Sequence, residues 1–230
     1  MLLARVRHFG IAHYCPCCRT SLRRFAPYNG RPSAQCPVCG SMERHRLMMR
    51  YLRARTDLFD GRGKRILHVA PESRLGRLFR ELRDSQYVSL DISPHHRPSL
   101  LADLTRLPFR DGTFDVIYCS HVLEHIPDDR RAMRELRRVL APRGWAILQS
   151  PIGFTDKPTY EDPSITSPED RLRVFGQDDH VRIYGNDYGT RLEESGFSVH
   201  LDPFVREQTR AEQRRFGLLD DEDIWLCRPS

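Results

Sequence analysis

From residue 65 to the C-terminus, short apolar runs alternate with longer stretches whose apolar positions recur at helical spacing. Unbroken runs such as Ile66-Leu67 and Val116-Ile117 suit strands covered on both faces, and the amphipathic stretches between them can supply the cover. The pattern predicts strands over 65–69, 87–91, 100–102, 114–119, 144–150, 197–201 and 223–227, and helices over 74–83, 127–140 and 187–195. In the second helix Met133, Leu136, Val139 and Leu140 share one face, while Arg130, Arg131, Arg134, Arg137 and Arg138 lie outside. Pro127 suits its first turn, and Asp128 and Asp129 sit near the positive end of its dipole. Strands alternating with helices predict an α/β, doubly wound sheet of seven strands.

Residues 1–56 read differently. Leu47, Met48, Tyr51 and Leu52 form one apolar stripe after Ser41, a candidate N-cap, and predict a helix that docks an N-terminal module onto the main domain. The segment 57–63, with Gly61 and Gly63 and no periodicity, marks the boundary between a module at 1–56 and a domain at 64–230. The stretch 152–183, rich in Pro, Asp and aromatics, follows the fifth strand and is expected to cover the substrate side of any site there. Within it, alternation places His180, Arg182 and Tyr184 on one side of an extended segment.

At 230 residues and 39% hydrophobic, the chain can bury one α/β core and carry an accessory module. It has neither the roughly 18 continuous apolar residues of a membrane span nor a secretory signal, so a soluble cytoplasmic protein is expected, with no membrane contact. Residues 1–60 hold eleven Arg against Glu43, Asp57 and Asp60, a surplus of eight. Such a surplus suits nucleic acid or an acidic partner, yet 35 of the 37 basic residues are Arg, a skew that also fits coding bias.

Five of the seven cysteines fall in Cys15-Pro-Cys17-Cys18 and Cys36-Pro-Val-Cys39, separated by 17 residues. Each C-x-x-C turn can aim two sulfurs at one ion, so Cys15, Cys18, Cys36 and Cys39 are the candidate ligands of a structural Zn2+ in a zinc ribbon. Residues 19–35 would form its hairpin. Cys17 is then a bystander, although it could replace Cys15 or Cys18. Disulfides would need an oxidising compartment, and a redox motif needs only one pair. Cys119 and Cys227 sit in apolar runs and read as core.

In doubly wound sheets ligands bind at the carboxyl ends of the strands where the winding reverses. Those ends here carry Ala70-Pro71-Glu72, Asp91, Asp103-Leu104 and Ser120-His121. Asp91 follows Glu72 by 19 positions, where a carboxylate can accept both hydroxyls of a ribose. The glycine fingerprint of a pyrophosphate site is missing, which argues against a dehydrogenase.

The order Leu67-His68-Val69-Ala70-Pro71-Glu72, Leu107-Pro108-Phe109, Asp111-Gly112-Thr113-Phe114-Asp115-Val116-Ile117, Val122-Leu123-Glu124-His125-Ile126 and Leu140-Ala141-Pro142-Arg143-Gly144 resembles class I S-adenosylmethionine-dependent methyltransferases, more narrowly the methyltransferase type 11 group. The resemblance covers residues 65–228. It implies a Rossmann-like seven-stranded methyltransferase sheet whose last strand is antiparallel, and S-adenosylmethionine as cofactor. It also implies that Val69, Ala70, Pro71 and Glu72 approach the methionine part, Asp91 binds the ribose, Ile92 packs on the adenine, Asp103 and Leu104 flank it, and Ser120 and His121 close the pocket. The first loop departs from the family in having no glycine before Gly76.

Methyl transfer from a sulfonium needs alignment more than acid–base chemistry, but an alcohol or amine acceptor calls for a base. His121, His125, His180 and the Tyr160-Glu161-Asp162 cluster are the candidates. The acceptor, whether small molecule, protein or RNA, is not specified. Two other readings stay open: a zinc-ribbon nucleic-acid-binding protein, and a degenerate methyltransferase fold used for interaction.

Overall fold

The computed structural model describes residues 2–230. Along the chain run α1 (Leu2–Arg7), β1 (His13–Cys15), β2 (Thr20–Leu22), β3 (Ala26–Tyr28), β4 (Arg31–Gln35) and α2 (Glu43–Arg55). Next come β5 (Arg65–Val69), α3 (Ser73–Arg80), β6 (Gln86–Asp91), β7 (Leu100–Leu101), β8 (Phe114–Ser120), α4 (Asp129–Val139) and β9 (Leu140–Gln149). The remainder holds β10 (Tyr160–Glu161), α5 (Pro168–Phe175), β11 (Arg182–Ile183), α6 (Tyr188–Glu194), β12 (Phe197–Asp202), α7 (Arg210–Phe216) and β13 (Ile224–Pro229). The chain divides into two compact units: Met1–Gly63, Glu72–Asp84 and Asp202–Ile224 form the first, and Lys64–Pro71, Ser85–Leu201 and Trp225–Ser230 the second.

In the second unit a seven-stranded sheet has the order β12-β13-β9-β8-β5-β6-β7. Strands β5 to β9 pair in parallel, and β13 runs antiparallel to β9. Leu67, Ile117, Cys119, Ala146 and Leu148 are fully buried, as covering on both faces requires. The arginine-rich α4 buries Ala132, Met133, Leu136 and Val139 and is capped by Asp128, whose side chain accepts from the Arg131 backbone N–H. It begins after Asp128 and not at Pro127, and β9 starts at once from Leu140, four residues before the predicted strand. The extra residues pair back to Phe114 across an irregular register.

Helix α5 lies in the stretch 152–183, where no helix is predicted from the sequence. Its apolar periodicity is poor, but its ends are well marked: Ser167 accepts from the Asp170 N–H, Pro168 opens the helix, and Gly176 closes it at φ +85°. Helix α7 was likewise missed, although Thr209 and Glu212 make a reciprocal capping box and Gly217 follows at φ +57°.

In the first unit the expected single hairpin over 19–35 is two hairpins, β1–β2 and β3–β4, the latter turned by Asn29-Gly30 with both φ values positive. Met42, not Ser41, is the N-cap of α2, and the His45 ring accepts from the Met42 N–H at 2.9 Å. Ser41 instead turns its hydroxyl toward Cys15 and Cys39. The stripe Leu47, Met48, Tyr51 and Leu52 is buried as expected. At the centre lies Arg46, fully buried, donating to the carbonyls of Ala34, Ser41, Phe216 and Gly217 and covering the Phe25 ring at 3.9 Å.

Candidate functional site

The winding of the large sheet reverses between β5 and β8: later strands add beyond β6 on one side and beyond β9 on the other. At the carboxyl ends beside that point the backbone is unusual. Ala70 after β5 has φ +46° and His121 after β8 has φ +55°. The family's glycine-rich loop is thus replaced by an alanine held in the left-handed region, at a cost of about 1 kcal/mol. The Ala70 N–H donates to Leu90 and the His121 N–H to Gln149, which fixes both turns in the sheet.

Asp91 ends β6 with its carboxylate largely buried: Oδ1 accepts from the Ser93 N–H at 2.9 Å, and Oδ2 lies 3.2 Å from His96 Nδ1. Asp103 accepts from the N–H and hydroxyl of Thr105 in a tight turn. Leu104 and Ser120 are buried, and Ile92 is 79% exposed. The second unit therefore brings Val69, Ala70, Pro71, Asp91, Asp103, Leu104, Ser120 and His121 to the carboxyl side of neighbouring strands.

The three candidate histidines gather beyond β8. A 3-10 turn, Leu123–His125, follows that strand. His121 Nδ1 lies 3.5 Å from Glu124 Oε1, His125 Nδ1 lies 3.3 Å from Asp179, and the rings of His125 and His180 meet edge to face at 4.7 Å. Glu124 is 1% exposed and accepts from the Ser150 hydroxyl at 2.9 Å. Burial works against its ionisation, yet the His121 imidazole and the Ser150 hydroxyl hold it below the usual carboxylate range. Burial, aided by His125, depresses the basicity of His180.

Arg182 and Tyr184, placed by alternation on one side with His180, are spent inside the fold. Arg182 is 2% exposed and donates to the carbonyls of Leu123, Ile126 and Pro127 and to Glu161. Tyr184 is fully buried and donates to Asp129 at 2.7 Å. Glu161 is clasped by Arg182 and Arg191; partial burial opposes its ionisation, but the two guanidinium groups outweigh this. A carboxylate so engaged is a poor proton acceptor. Sequence alternation gave the correct face for these residues but not what the face packs against.

Glu72 belongs to the first unit. His45 Nε2 and Arg44 Nε both reach its Oε1, at 2.8 and 3.0 Å, and its carboxyl is held at about 2 because these partners outweigh a strong burial penalty. Because His45 Nδ1 accepts from the Met42 N–H, the ring proton sits on Nε2 and points at Glu72. Neither partner was legible in advance, since 44 and 45 lie in a helix read only for its apolar stripe.

The sulfurs of Cys15, Cys18, Cys36 and Cys39 lie within 4.8 Å of one another. Cys15 Sγ is 3.7 Å from Cys39 Sγ, and Cys18 Sγ is 3.8 Å from Cys36 Sγ, close to the edges of a tetrahedron with bonds of about 2.3 Å. Cys17 lies outside this group, with its Sγ 3.5 Å from the His45 carbonyl. Hydrogen bonds from its neighbours lower the Cys15 thiol, while the bond to Cys15 raises Cys17, Cys18 and Cys36: the group cannot collect several negative charges without a cation. The donor set and spacing fit Zn2+.

The arginine surplus at 1–60 is partly neutralised in its own unit by acidic residues from 202–224: Arg50 pairs with Glu212, and Arg55 with Asp202 and Glu207. A cavity of about 280 Å³ beside the knuckles is nevertheless lined by Arg5, Arg19, Arg53, Arg74 and Arg77 against one carboxylate, Glu81. No helix of the described residues is long and apolar enough to cross a membrane.

The strand order, with β13 antiparallel between β9 and β12, defines the Rossmann-like methyltransferase fold. Residues 72–148, about a third of the chain, match a family model described as a methyltransferase domain. Among curated proteins it is similar to a sterol 4-C-methyltransferase of Caenorhabditis elegans, 34% identical over 76 residues covering 33% of this chain and 22% of that protein. It is also similar to an uncharacterized methyltransferase of Mycobacterium sp. (strain KMS), 38% identical over 76 residues covering 29% and 30%. The matched segments thus span about a fifth to a third of these relatives. Among solved structures, an S-adenosylmethionine-dependent methyltransferase from Mesorhizobium loti shares the fold, with a TM-score of 0.51 and 22% identity over 78% of this chain and 96% of that one.

Proposed function

We propose that this chain is an S-adenosylmethionine-dependent methyltransferase whose cysteine centre holds a structural Zn2+. The observation that carries this reading is the clustering of Ala70-Pro71, Asp91, Asp103 and Ser120-His121 at the carboxyl ends of strands flanking the reversal of winding, in a chain with a methyltransferase family match. Asp91 accepts the ribose hydroxyls, exchanging its local contact with His96 for them. Leu104 and Ile92 bracket the adenine, and burial of the exposed Ile92 on binding adds to affinity.

Bound S-adenosylmethionine would supply an activated methyl group on its sulfonium. The protein aligns the acceptor and excludes water. An alcohol or amine acceptor also sheds a proton, and His121, the most exposed of the three imidazoles, is placed to take it. Four thiolates leave no open position on the zinc, so that ion holds the two hairpins and Ser41 together and takes no part in the chemistry.

Calorimetric titration with S-adenosylmethionine and S-adenosylhomocysteine tests the reading. Micromolar binding that Asp91→Ala weakens at least tenfold is expected; absence of binding to the intact protein overturns it.

A second reading concerns the acceptor. Five guanidinium groups around one cavity favour an anionic partner, and single-stranded RNA is the candidate whose phosphates they would meet. Its affinity should fall by at least tenfold between about 50 and 200 mM salt, and less steeply in Arg19→Ala/Arg74→Ala.

A further inference from the structure

We propose that Glu124, His125 and His180 form a second divalent-metal site, separate from the cysteine centre, which takes a first-row transition ion such as Zn2+ and leaves coordination positions open. One ligand atom from each residue lies within 4.8 Å of the others. Around a tetrahedral ion, bonds of about 2.0–2.2 Å put donors about 3.4 Å apart, so side-chain rotations that bring the atoms together by at most about 1.5 Å close the set. Two imidazoles with one carboxylate suit Zn2+, Fe2+, Co2+ or Ni2+, and are poorly suited to Ca2+ or Mg2+.

The independent observation is Glu124 itself. Its side chain is 1% exposed, and while Oε2 accepts from Ser150, Oε1 is buried without a hydrogen-bond partner. A buried carboxylate oxygen without a hydrogen-bond donor is costly, and a cation beside it removes that cost. The His121 ring, at 3.5 Å from that oxygen, does not make a hydrogen bond to it.

The three donors are held in place although they are distant in sequence. Glu124 and His125 sit on the 3-10 turn after β8. The segment bearing His180 is tied to that turn by the Val181 N–H, which donates to the Glu124 carbonyl at 3.0 Å, and by Arg182, whose guanidinium group bridges the carbonyls of Leu123, Ile126 and Pro127. Buried Arg182 thus acts as a clamp that sets the distance between the two halves of the site. The Asp179 carboxylate, 3.3 Å from His125 Nδ1, orients that ring as a carboxylate behind a metal-bound histidine does. Three protein donors leave room for water or for an oxygen or nitrogen of a bound molecule, and His125, 30% exposed, gives access from solvent. The site stands whether or not S-adenosylmethionine binds.

The test uses the full-length chain dialysed against Zn2+ and then against metal-free buffer, with metal content measured by mass spectrometry. Wild type should retain about two equivalents per chain, and Glu124→Gln and His180→Gln about one. Cobalt substitution assigns the loss: in Glu124→Gln the intense sulfur-to-cobalt charge-transfer band of the cysteine centre should persist while the weaker visible bands of a nitrogen–oxygen site disappear. Glu124→Gln keeps the shape of the side chain, so it remains informative if His180→Gln does not fold. S-adenosylhomocysteine binding, followed on the same samples, separates failure of the metal site from failure of the cofactor site. One equivalent in wild type, or a second equivalent retained in both variants, overturns the proposal.

Discussion

His45 Nε2 lies 2.8 Å from Glu72 Oε1, and Arg44 donates to the same oxygen from the preceding position of α2. The pair ties the start of α3 to α2 within one unit. Because the Glu72 carboxyl is held at about 2 against an ordinary 4.5, its folded-state value is depressed. The stability it contributes is therefore complete above about pH 4.5 and is lost as the pH falls toward 2. Urea midpoints measured across that window should fall more steeply for wild type than for Glu72→Gln. Parallel curves would show that Glu72 is not held by these partners.

Ala70 occupies the left-handed region at φ +46°, where a glycine carries no steric penalty. Ala70→Gly should raise stability by up to about 0.6 kcal/mol, the relief of about 1 kcal/mol of strain exceeding the entropy gained by the unfolded chain. Chemical denaturation measures it directly. A loss of similar size would mean that the loop after β5 has a different backbone.

Asp129 is 3% exposed and serves three groups: the Tyr184 hydroxyl at 2.7 Å, Arg191 at 3.2 Å and Arg182 at 3.7 Å. Asp129→Ala leaves two buried guanidinium groups short of a counter-charge and should cost about 3 kcal/mol or more. Tyr184→Phe removes one hydrogen bond and should cost about 1 kcal/mol. Equal losses in the two variants would contradict this division of roles.

Zinc content separates the five clustered cysteines. Cys17→Ala should keep the metal of the ribbon, since its sulfur faces the His45 carbonyl, whereas Cys36→Ala should lose it along with amide protection over 13–42. If Cys17→Ala also empties the centre, Cys17 is a ligand and the assignment changes.

Much of the fold was legible because the pattern was strong. The strands leading to Val69, Asp91 and Ser120 are apolar runs that few other structures could bury, and the C-x-x-C spacings state a ligand geometry outright. What escaped did so for identifiable reasons. Helices α5 and α7 carry too few apolar residues for periodicity to register, and only their caps at Ser167, Gly176, Thr209 and Gly217 announce them. Arg46 was counted in the N-terminal arginine surplus and Arg182 was placed only by alternation, yet each is buried and hydrogen-bonds carbonyls distant in sequence, and no local pattern reports such partners. The meeting of Glu124 with His180 depends on that same Arg182 clamp and is equally invisible to a reading by neighbours along the chain.

The proposed seat of the cofactor is the carboxyl ends of β5, β6 and β8. Hydrogen–deuterium exchange of the intact protein with and without S-adenosylhomocysteine tests it most directly. Slowed exchange is expected in peptides covering 69–71, 91–93, 103–105 and 120–121, with α5 and the β3–β4 hairpin unchanged. Binding without protection at those four segments, or protection confined to the cysteine centre, would contradict it.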